Sequence, residues 1–204
     1  MPPMDARPAN PAPSRTTPRR APRPVTAQRL YNQALFHLQR FATSSANLRR
    51  VLMRRVRRSV RHHGTPPLPE AERMVDDVIA RLQAAGLLND PLYAETRARG
   101  LAESGRSPRM IRAKLARKGV ARPDVDRALE GLAEEAPDPE LRGALILARK
   151  RTLGPCRPEA ERRDSRQRDL AVLARAGYGY DVAKRVIDAA NLEELEEELG
   201  ASVA

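Results

Sequence analysis

The stretch that decides the fold spans residues 89–119 and reads NDPLYAETRARGLAESGRSPRMIRAKLARKG. It contains two helix starts, because Asp90 and Ser107 each place a capping side chain directly before a proline that fits the first helical position. Gly119 is the glycine that commonly follows the last turn of a helix. The apolar residues between these signals are Tyr93, Ala94, Leu101, Met110, Ile111 and Leu115. Since they recur at the helical period, the stretch predicts two short amphipathic helices joined by a turn.

The same start and stop signals divide the rest of the chain into nine predicted helices, and no segment alternates at the period of a strand. The helices form three groups of three that resemble one another. Positions that match at an offset of 63 residues are Leu38 and Leu101, Leu48 and Ile111, and Leu52 and Leu115. Residues 115–125 resemble residues 173–182 in the same way, with one deletion. The sequence therefore predicts an all-α fold of tandem three-helix repeats forming an elongated, curved array.

The predicted boundaries follow from composition. Residues 1–25 are rich in proline and arginine and are expected to form a disordered arm. The three repeats are predicted over residues 26–88, 89–136 and 137–190. Residues 191–204 form an acidic tail, which is either frayed or a short amphipathic helix on Leu192, Leu195 and Leu199.

Some details of the first repeat are also predicted. The apolar face of its first helix is expected to extend to Phe41, and the break at residues 43–45 supplies capping hydroxyls for the second helix. Arg55 falls on the apolar side of that second helix, which suggests that the helix bends or ends there. The proline-rich residues 63–69 are expected to be non-helical.

The positive charge of the chain is concentrated in its first third. The 204 residues carry a formal net charge of +12, and the segment between Asp5 and Glu70 holds 14 arginines and no acidic residue. Such a surface favours a polyanionic partner. No apolar run is long enough for a membrane span, no secretory signal is visible, and a single cysteine fits a reducing compartment. The sequence thus predicts a cytoplasmic protein.

Neither an enzyme nor a cofactor-binding protein is expected, because the chain has no phosphate-binding loop, nucleophile elbow or zinc-protease motif. No metal site is expected, and His62-His63 is interpreted as a histidine pair in a linker. Cys156 is interpreted as a passive thiol. Tyr178 and Tyr180 could either stack on bases or pack in a turn.

The candidate binding residues lie on two predicted helices. At 100° per residue, Arg50, Arg54, Arg57 and Arg61 share one face of the helix that begins near Ser45. Arginine offers paired donors to phosphate or carboxylate groups, whereas an ordinary solvated face is the alternative. The full set of candidates is Arg49, Arg50, Arg54, Arg57, Arg58, Arg61, Arg106, Arg109, Arg112, Lys114, Arg117 and Lys118. A third basic cluster over residues 149–168 is interrupted by acids, so salt bridges within the protein explain it almost as well.

Several of these segments resemble the RecX family of recombinase regulators. Residues 86–94, GLLNDPLYA, and residues 105–120, GRSPRMIRAKLARKGV, are similar to the start and the basic helix of that family's middle repeat. Residues 45–52 resemble the first repeat, with Asn47 where glutamate is usual, and residues 173–178 resemble the third. The resemblance covers roughly residues 27–190, and the long arm and residues 155–163 depart from it.

The resemblance implies tandem three-helix repeats and a regulatory rather than enzymatic role. Members of the family bind the RecA filament on single-stranded DNA, seated in its groove, and limit its growth, ATPase, strand exchange and co-protease activities. That places the chain in DNA repair, homologous recombination and the SOS response, as a monomer that acts on the filament. The alternatives are a stand-alone basic helical-repeat protein that binds DNA or RNA, and an adaptor without nucleic-acid contact.

Overall fold

The structure, a computed structural model, describes residues 21–135 and 138–200. Within these ranges the chain forms ten α-helices and one short 3₁₀ turn, and no described residue lies in a strand. The helices are α1 Ala27–Leu38, α2 Ser45–His63, α3 Leu68–Ala84, α4 Asp90–Ala102, α5 Pro108–Lys118, α6 Arg122–Glu134, α7 Pro139–Arg151, α8 Glu159–Arg175, α9 Tyr180–Ile187 and α10 Glu193–Glu198. The 3₁₀ turn, Gly154–Cys156, precedes α8. None of the described helices is long and apolar enough to cross a membrane.

The buried side chains form three separate cores, one for each predicted repeat, and the third also includes α10. The first joins α1, α2 and α3, the second joins α4, α5 and α6, and the third joins α7, α8, α9 and α10. Leu52 and Leu82 in the first core, Leu115 in the second and Leu173 in the third are fully buried. Burying one leucine side chain contributes about 1.5–3 kcal/mol, so each repeat is held by its own apolar stripe. The prediction of an all-α fold of helical repeats is confirmed.

Polar side chains cap the starts of five helices, and Thr26 does so for α1 by accepting a 3.2 Å hydrogen bond from the backbone N–H of Arg29. Ser44, Asn89, Ser107 and Asp138 each accept a hydrogen bond from the backbone N–H three residues further on, at 2.9–3.2 Å. Asn89, and not the predicted Asp90, therefore caps α4. The Asp90 carboxylate instead accepts a 2.7 Å hydrogen bond from the backbone N–H of Ser45, which ties the second repeat to the first.

Three details of the first repeat differ from the sequence expectations. The helix α1 ends at Leu38, so Phe41 lies beyond it and is 59% exposed. The helix α2 runs without interruption to His63, and Arg55 is exposed at the edge of its buried face. The helix α3 already begins at Leu68 with Pro69 in its first turn, where a missing N–H costs nothing.

Two segments outside the predicted repeats pack against them. Within the predicted arm, the carbonyl of Arg23 accepts a 2.8 Å hydrogen bond from the Ser59 hydroxyl, and Val25 packs on the first core. Residues 1–20 lie outside the described residues. At the other end, Leu195 and Leu199 of the predicted acidic tail are buried in the third core, which favours the helical alternative over the frayed one. Residues 201–204 are not described.

The third repeat contains a buried ion pair. The side chain of Asp169 is 1% exposed, and its carboxylate accepts hydrogen bonds from Nε and Nη2 of Arg157 at 2.8 and 2.9 Å. A third hydrogen bond, 2.9 Å long, comes from the backbone N–H of Gly154. This network fixes the 3₁₀ turn on the middle of α8.

Candidate nucleic-acid interface

The basic helix α2 presents its arginines on a wide arc opposite its buried side. Leu48, Leu52 and Val56 face the core. Arg54, Arg55, Arg58 and Arg61 are exposed, and within the described part of the chain none of them pairs with a carboxylate. Since like charges this close repel, an unneutralised group of arginines is a natural place for an anion to bind.

The predicted row of Arg50, Arg54, Arg57 and Arg61 is divided in the structure. Arg50 donates a 2.8 Å hydrogen bond from Nη2 to the carbonyl of Arg117 at the end of α5. The guanidinium of Arg57 lies 4.0 Å from the Glu72 carboxylate on α3. Only Arg54 and Arg61 of the row are left without such partners among the described residues.

Arg49, a further candidate, is engaged within the first repeat. Its guanidinium donates two hydrogen bonds to the Asp76 carboxylate on α3, at 2.6 and 3.1 Å. These hydrogen bonds lower the pKa of the Asp76 carboxyl below its ordinary value. Arg49 therefore joins α2 to α3 and is not free for an outside anion.

Arg54, Arg55 and Arg58 line a cleft between α1, α2 and the chain that leads into α1. The cleft has a volume of about 580 Å³. Among the described residues, its walls hold five arginines and no acidic residue: Arg23, Arg29, Arg54, Arg55 and Arg58. We call it the arginine cleft. Sequence reasoning missed Arg23, Arg29 and Arg55 as site residues, although the acid-free segment from residue 6 to residue 69 contains all three.

The basic residues around α5 do not form one face. Arg112 pairs with Asp126 on α6 at 3.1 Å, and Lys118 points into a groove between the first two repeats. Arg109 and Arg117 are exposed, whereas Arg106 and Lys114 are half-buried. Of the α2 candidates, the structure brings only Arg54 and Arg58 together in the arginine cleft, and it leaves the α5 candidates dispersed.

In the third repeat, arginines are largely used within the protein. Arg166 makes a two-point contact with Asp188, Arg149 pairs with Glu196, and Arg157 pairs with Asp169. Arg162 donates to three backbone carbonyls of its own repeat, at 2.8–3.2 Å. Of the two explanations offered by the sequence, these contacts favour internal salt bridges over an outside ligand.

The other singled-out residues lie in different surroundings. Tyr178 is buried, and burial raises the pKa of its hydroxyl, whereas Tyr180 is 65% exposed. His63 lies with Nε2 2.7 Å from the carbonyl of Pro22. Burial raises the pKa of the half-buried Cys156 thiol, which favours its protonated form.

Two equivalent joints hold the repeats together. The Ser44 hydroxyl at the start of α2 donates a 2.5 Å hydrogen bond to the carbonyl of Lys118 at the end of α5. The Ser107 hydroxyl at the start of α5 donates in the same way, at 2.9 Å, to the carbonyl of Ala176 at the end of α8. The middle helices α8, α5 and α2 therefore follow one another head to tail, with the carbonyl end of each against the N–H end of the next. The joints fix where α2 and its arginine cleft stand relative to the second repeat.

Gly119 allows the close approach at the first joint. Its φ is +80°, and an added Cβ would lie 2.6 Å from Cβ of Ala46. Gly119→Ala is expected to lower the free energy of unfolding by about 1–3 kcal/mol more than Gly86→Ala. Both substitutions place alanine in a left-handed backbone conformation, but only the alanine at position 119 would also clash with a neighbouring side chain. Gly86 is the matched control, since its φ is +70° and nothing lies within 4 Å of an added Cβ. Denaturant unfolding of both variants measures the difference. Equal destabilisation would show that the contact between position 119 and Ala46 can relax without cost.

Comparison with known proteins gives a consistent result. The family model described as "RecX, second three-helix domain" matches residues 89–129. The regulatory protein RecX of Myxococcus xanthus (strain DK1622) is 44% identical over 168 residues, covering 82% of this chain and 88% of that protein. Regulatory protein RecX of Agrobacterium fabrum (strain C58) is 30% identical over 166 residues, covering 81% and 85% of the two chains.

The fold is also shared with a solved structure. The crystal structure of RecX from Lactobacillus salivarius matches with a TM-score of 0.55 at 21% identity, over 84% of this chain and 97% of that one. At this level of identity the match concerns the fold alone. The extent and identity of the sequence matches, together with the three-helix repeats, show that the chain belongs to the RecX family of regulatory proteins.

Proposed function

We propose that the protein is a cytoplasmic, monomeric regulator that binds the RecA filament on single-stranded DNA and restrains it. In this proposal the protein limits filament extension and lowers the ATPase, strand-exchange and co-protease activities of RecA. It acts by binding and carries out no chemical step of its own. Family membership and the name "regulatory protein" of its relatives support a regulatory role.

The observation that carries the proposal is the arginine cleft. Five arginines surround a concave surface without a neutralising carboxylate among the described residues. A guanidinium can donate two parallel hydrogen bonds to one phosphate, so this surface suits a nucleic-acid backbone better than an array of lysines would. Phosphate contacts position a protein on nucleic acid without reading its sequence, as a regulator of a protein filament assembled on DNA requires.

The joints between repeats support the same proposal. A filament groove presents DNA and protein surfaces together, and a regulator seated there needs its repeats at fixed relative positions. The hydroxyl–carbonyl bonds from Ser44 and Ser107 supply that preorganisation, which reduces the ordering cost of binding. The exposed Arg109 and Arg117 on α5 and Arg61 on α2 provide further contacts along the same column of helices.

A second candidate function is that of a stand-alone helical-repeat protein that binds single-stranded DNA or RNA. The arginine cleft favours it too, because phosphates can bind there without a recombinase. The two functions differ in whether tight binding requires RecA.

The activity test is ATP hydrolysis by RecA on single-stranded DNA with and without the protein. We expect hydrolysis to fall at substoichiometric protein, because one molecule bound in the groove or at an end affects more subunits than it touches. A matched control adds the Arg54→Ala, Arg55→Ala, Arg58→Ala variant at the same concentration, which should inhibit far less. Unchanged hydrolysis at equimolar, folded protein would contradict the proposal.

A further inference from the structure

A second concave surface lies between the first two repeats, and it shares no residue with the arginine cleft. It has a volume of about 1000 Å³ and is bounded by the end of α1, the connection from α3 to α4, α4 itself and the end of α5. Its apolar part is formed by Leu35, Leu38, Phe41, Leu87 and Leu92. We call it the inter-repeat groove.

The groove exposes an unusual amount of apolar surface. Phe41, Leu87 and Leu92 are 59%, 50% and 57% exposed. They account for three of the six large apolar side chains that stand exposed in the described part of the chain, and all three meet in this one groove. Apolar side chains scattered singly over a surface are ordinary, but a contiguous group of them in a concavity is typical of an interaction site.

The charged residues of the groove all carry the same sign. Arg40, Arg97 and Lys118 line it, and no acidic residue does so among the described residues. Burial first, and then the charges of Arg55 and Lys118, lower the pKa of His37, whose ring centroid lies 5.2 Å from that of Phe41. A ligand that fits the groove therefore needs apolar side chains to contact the groove walls and negative charges to pair with the cations at the groove rim.

We propose that the inter-repeat groove binds an acidic peptide segment of a partner protein. One or two large apolar side chains of the segment enter between Phe41, Leu87 and Leu92, and its carboxylates pair with Arg40, Arg97 and Lys118. Interface centres are enriched in arginine and depleted of acidic residues, as is the described lining of this groove. The proposal does not depend on filament binding, since the arginine cleft lies elsewhere.

The aliphatic character of the walls distinguishes a peptide from a nucleic acid. Single-stranded nucleic acids bind by stacking successive bases on aromatic faces. Here most of the apolar wall is leucine, and of the two aromatic residues Tyr93 is half-buried and packs on the second core. Leucine side chains suit aliphatic and aromatic anchors of a peptide, as in grooves that receive amphipathic segments.

Two residues that line the groove lie at helix ends that are fixed by hydrogen bonds. Lys118, at its rim, is the residue whose carbonyl accepts the Ser44 hydrogen bond at the first joint, and Asn89, another lining residue, caps α4. A surface built on two fixed helix ends loses little conformational freedom on binding. A bound segment would contact both repeats at once.

The test is selection of peptides from a random twelve-residue display library on the full chain. The peptides obtained are then measured by fluorescence polarisation. We expect them to be net negative with at least one large apolar residue, and to bind at least about tenfold more weakly to the double variant Leu87→Ser, Leu92→Ser. The variant Arg97→Gln, Lys118→Gln should weaken binding similarly and remove most of its salt dependence.

Matched controls separate the groove from general effects. Leu68→Ser changes an exposed leucine outside the groove, and Arg163→Gln with Arg168→Gln changes two exposed cations on α8. Both controls should bind the peptides like the unaltered chain, and thermal melting shows whether each variant is folded. Because the substituted side chains are exposed, folding should be retained.

Two outcomes would overturn the proposal. One is a selection that yields no peptide whose binding depends on the groove residues. The other is loss of binding to a labelled oligothymidylate in the groove variants while peptides fail to compete, which would assign the groove to nucleic acid instead.

Discussion

Replacing Arg54, Arg55 and Arg58 together with alanine is expected to weaken binding to the RecA filament by about 100-fold or more. Hydrogen bonds to charged groups contribute about 1.5–3 kcal/mol each, and three of them correspond to at least that loss of affinity. The slope of log K against log salt should flatten by about 2, since each lost phosphate contact on a single strand accounts for about 0.7. These side chains are exposed, so the variant should stay folded.

The matched control for this prediction carries the same change in net charge on another helix. Arg163, Arg168 and Arg175 are exposed on α8, and their replacement with alanine should leave filament affinity within about threefold of the unaltered chain. Titration of labelled protein at several salt concentrations measures both quantities. Equal losses in the two variants would mean that net charge, and not the arginine cleft, determines binding.

Asp169→Ala is expected to lower the free energy of unfolding by about 3–5 kcal/mol. The carboxylate is buried and accepts three hydrogen bonds, so its removal leaves the guanidinium of Arg157 and the N–H of Gly154 without their partner. Such a loss is a large fraction of the stability of an ordinary domain. Asp164→Ala, an exposed site on the same helix, is the control and should change stability by less than about 0.5 kcal/mol.

The same ion pair predicts a dependence of stability on pH. Burial by itself would raise the pKa of Asp169, but the hydrogen bonds from Arg157 and Gly154 and the charge of Arg157 outweigh it and leave the pKa below its ordinary value. The stabilisation is therefore present above about pH 4, where the carboxyl is ionised in the unfolded chain too, and is lost as the pH falls through the folded-state pKa. Asp169→Asn should show a flatter fall in stability below pH 4, and identical acid unfolding of both proteins would contradict this assignment.

Helix positions could be read from the sequence because each helix has a local signal. The apolar period marks Leu48, Leu52 and Val56 as core residues of α2, and they are fully buried. Ser44 and Ser107 even stand at the same 63-residue offset as the repeated leucines, so their equivalence was available in the sequence. Their hydrogen bonds to the carbonyls of Lys118 and Ala176 could not be predicted, because the partners lie 74 and 69 residues apart in the sequence and no local pattern connects them.

The candidate site was only partly predictable for a related reason. A charge pattern along one helix does not say which arginines another helix will neutralise. Arg49 and Arg57 meet acids of α3, and Arg50 caps the end of α5, whereas Arg55 stays exposed although it falls near the apolar side. Which cations remain available is therefore decided by packing between helices.

The proposed function requires that this protein recognise the recombinase filament and not merely nucleic acid. The most direct measurement compares the affinity of labelled protein for single-stranded DNA coated with RecA and for the same DNA without RecA, at one physiological salt concentration. We expect binding to the coated DNA to be at least about tenfold tighter, with both affinities lowered in the Arg54→Ala, Arg55→Ala, Arg58→Ala variant. Equal affinity for coated and bare DNA, or binding to bare DNA alone, would contradict it.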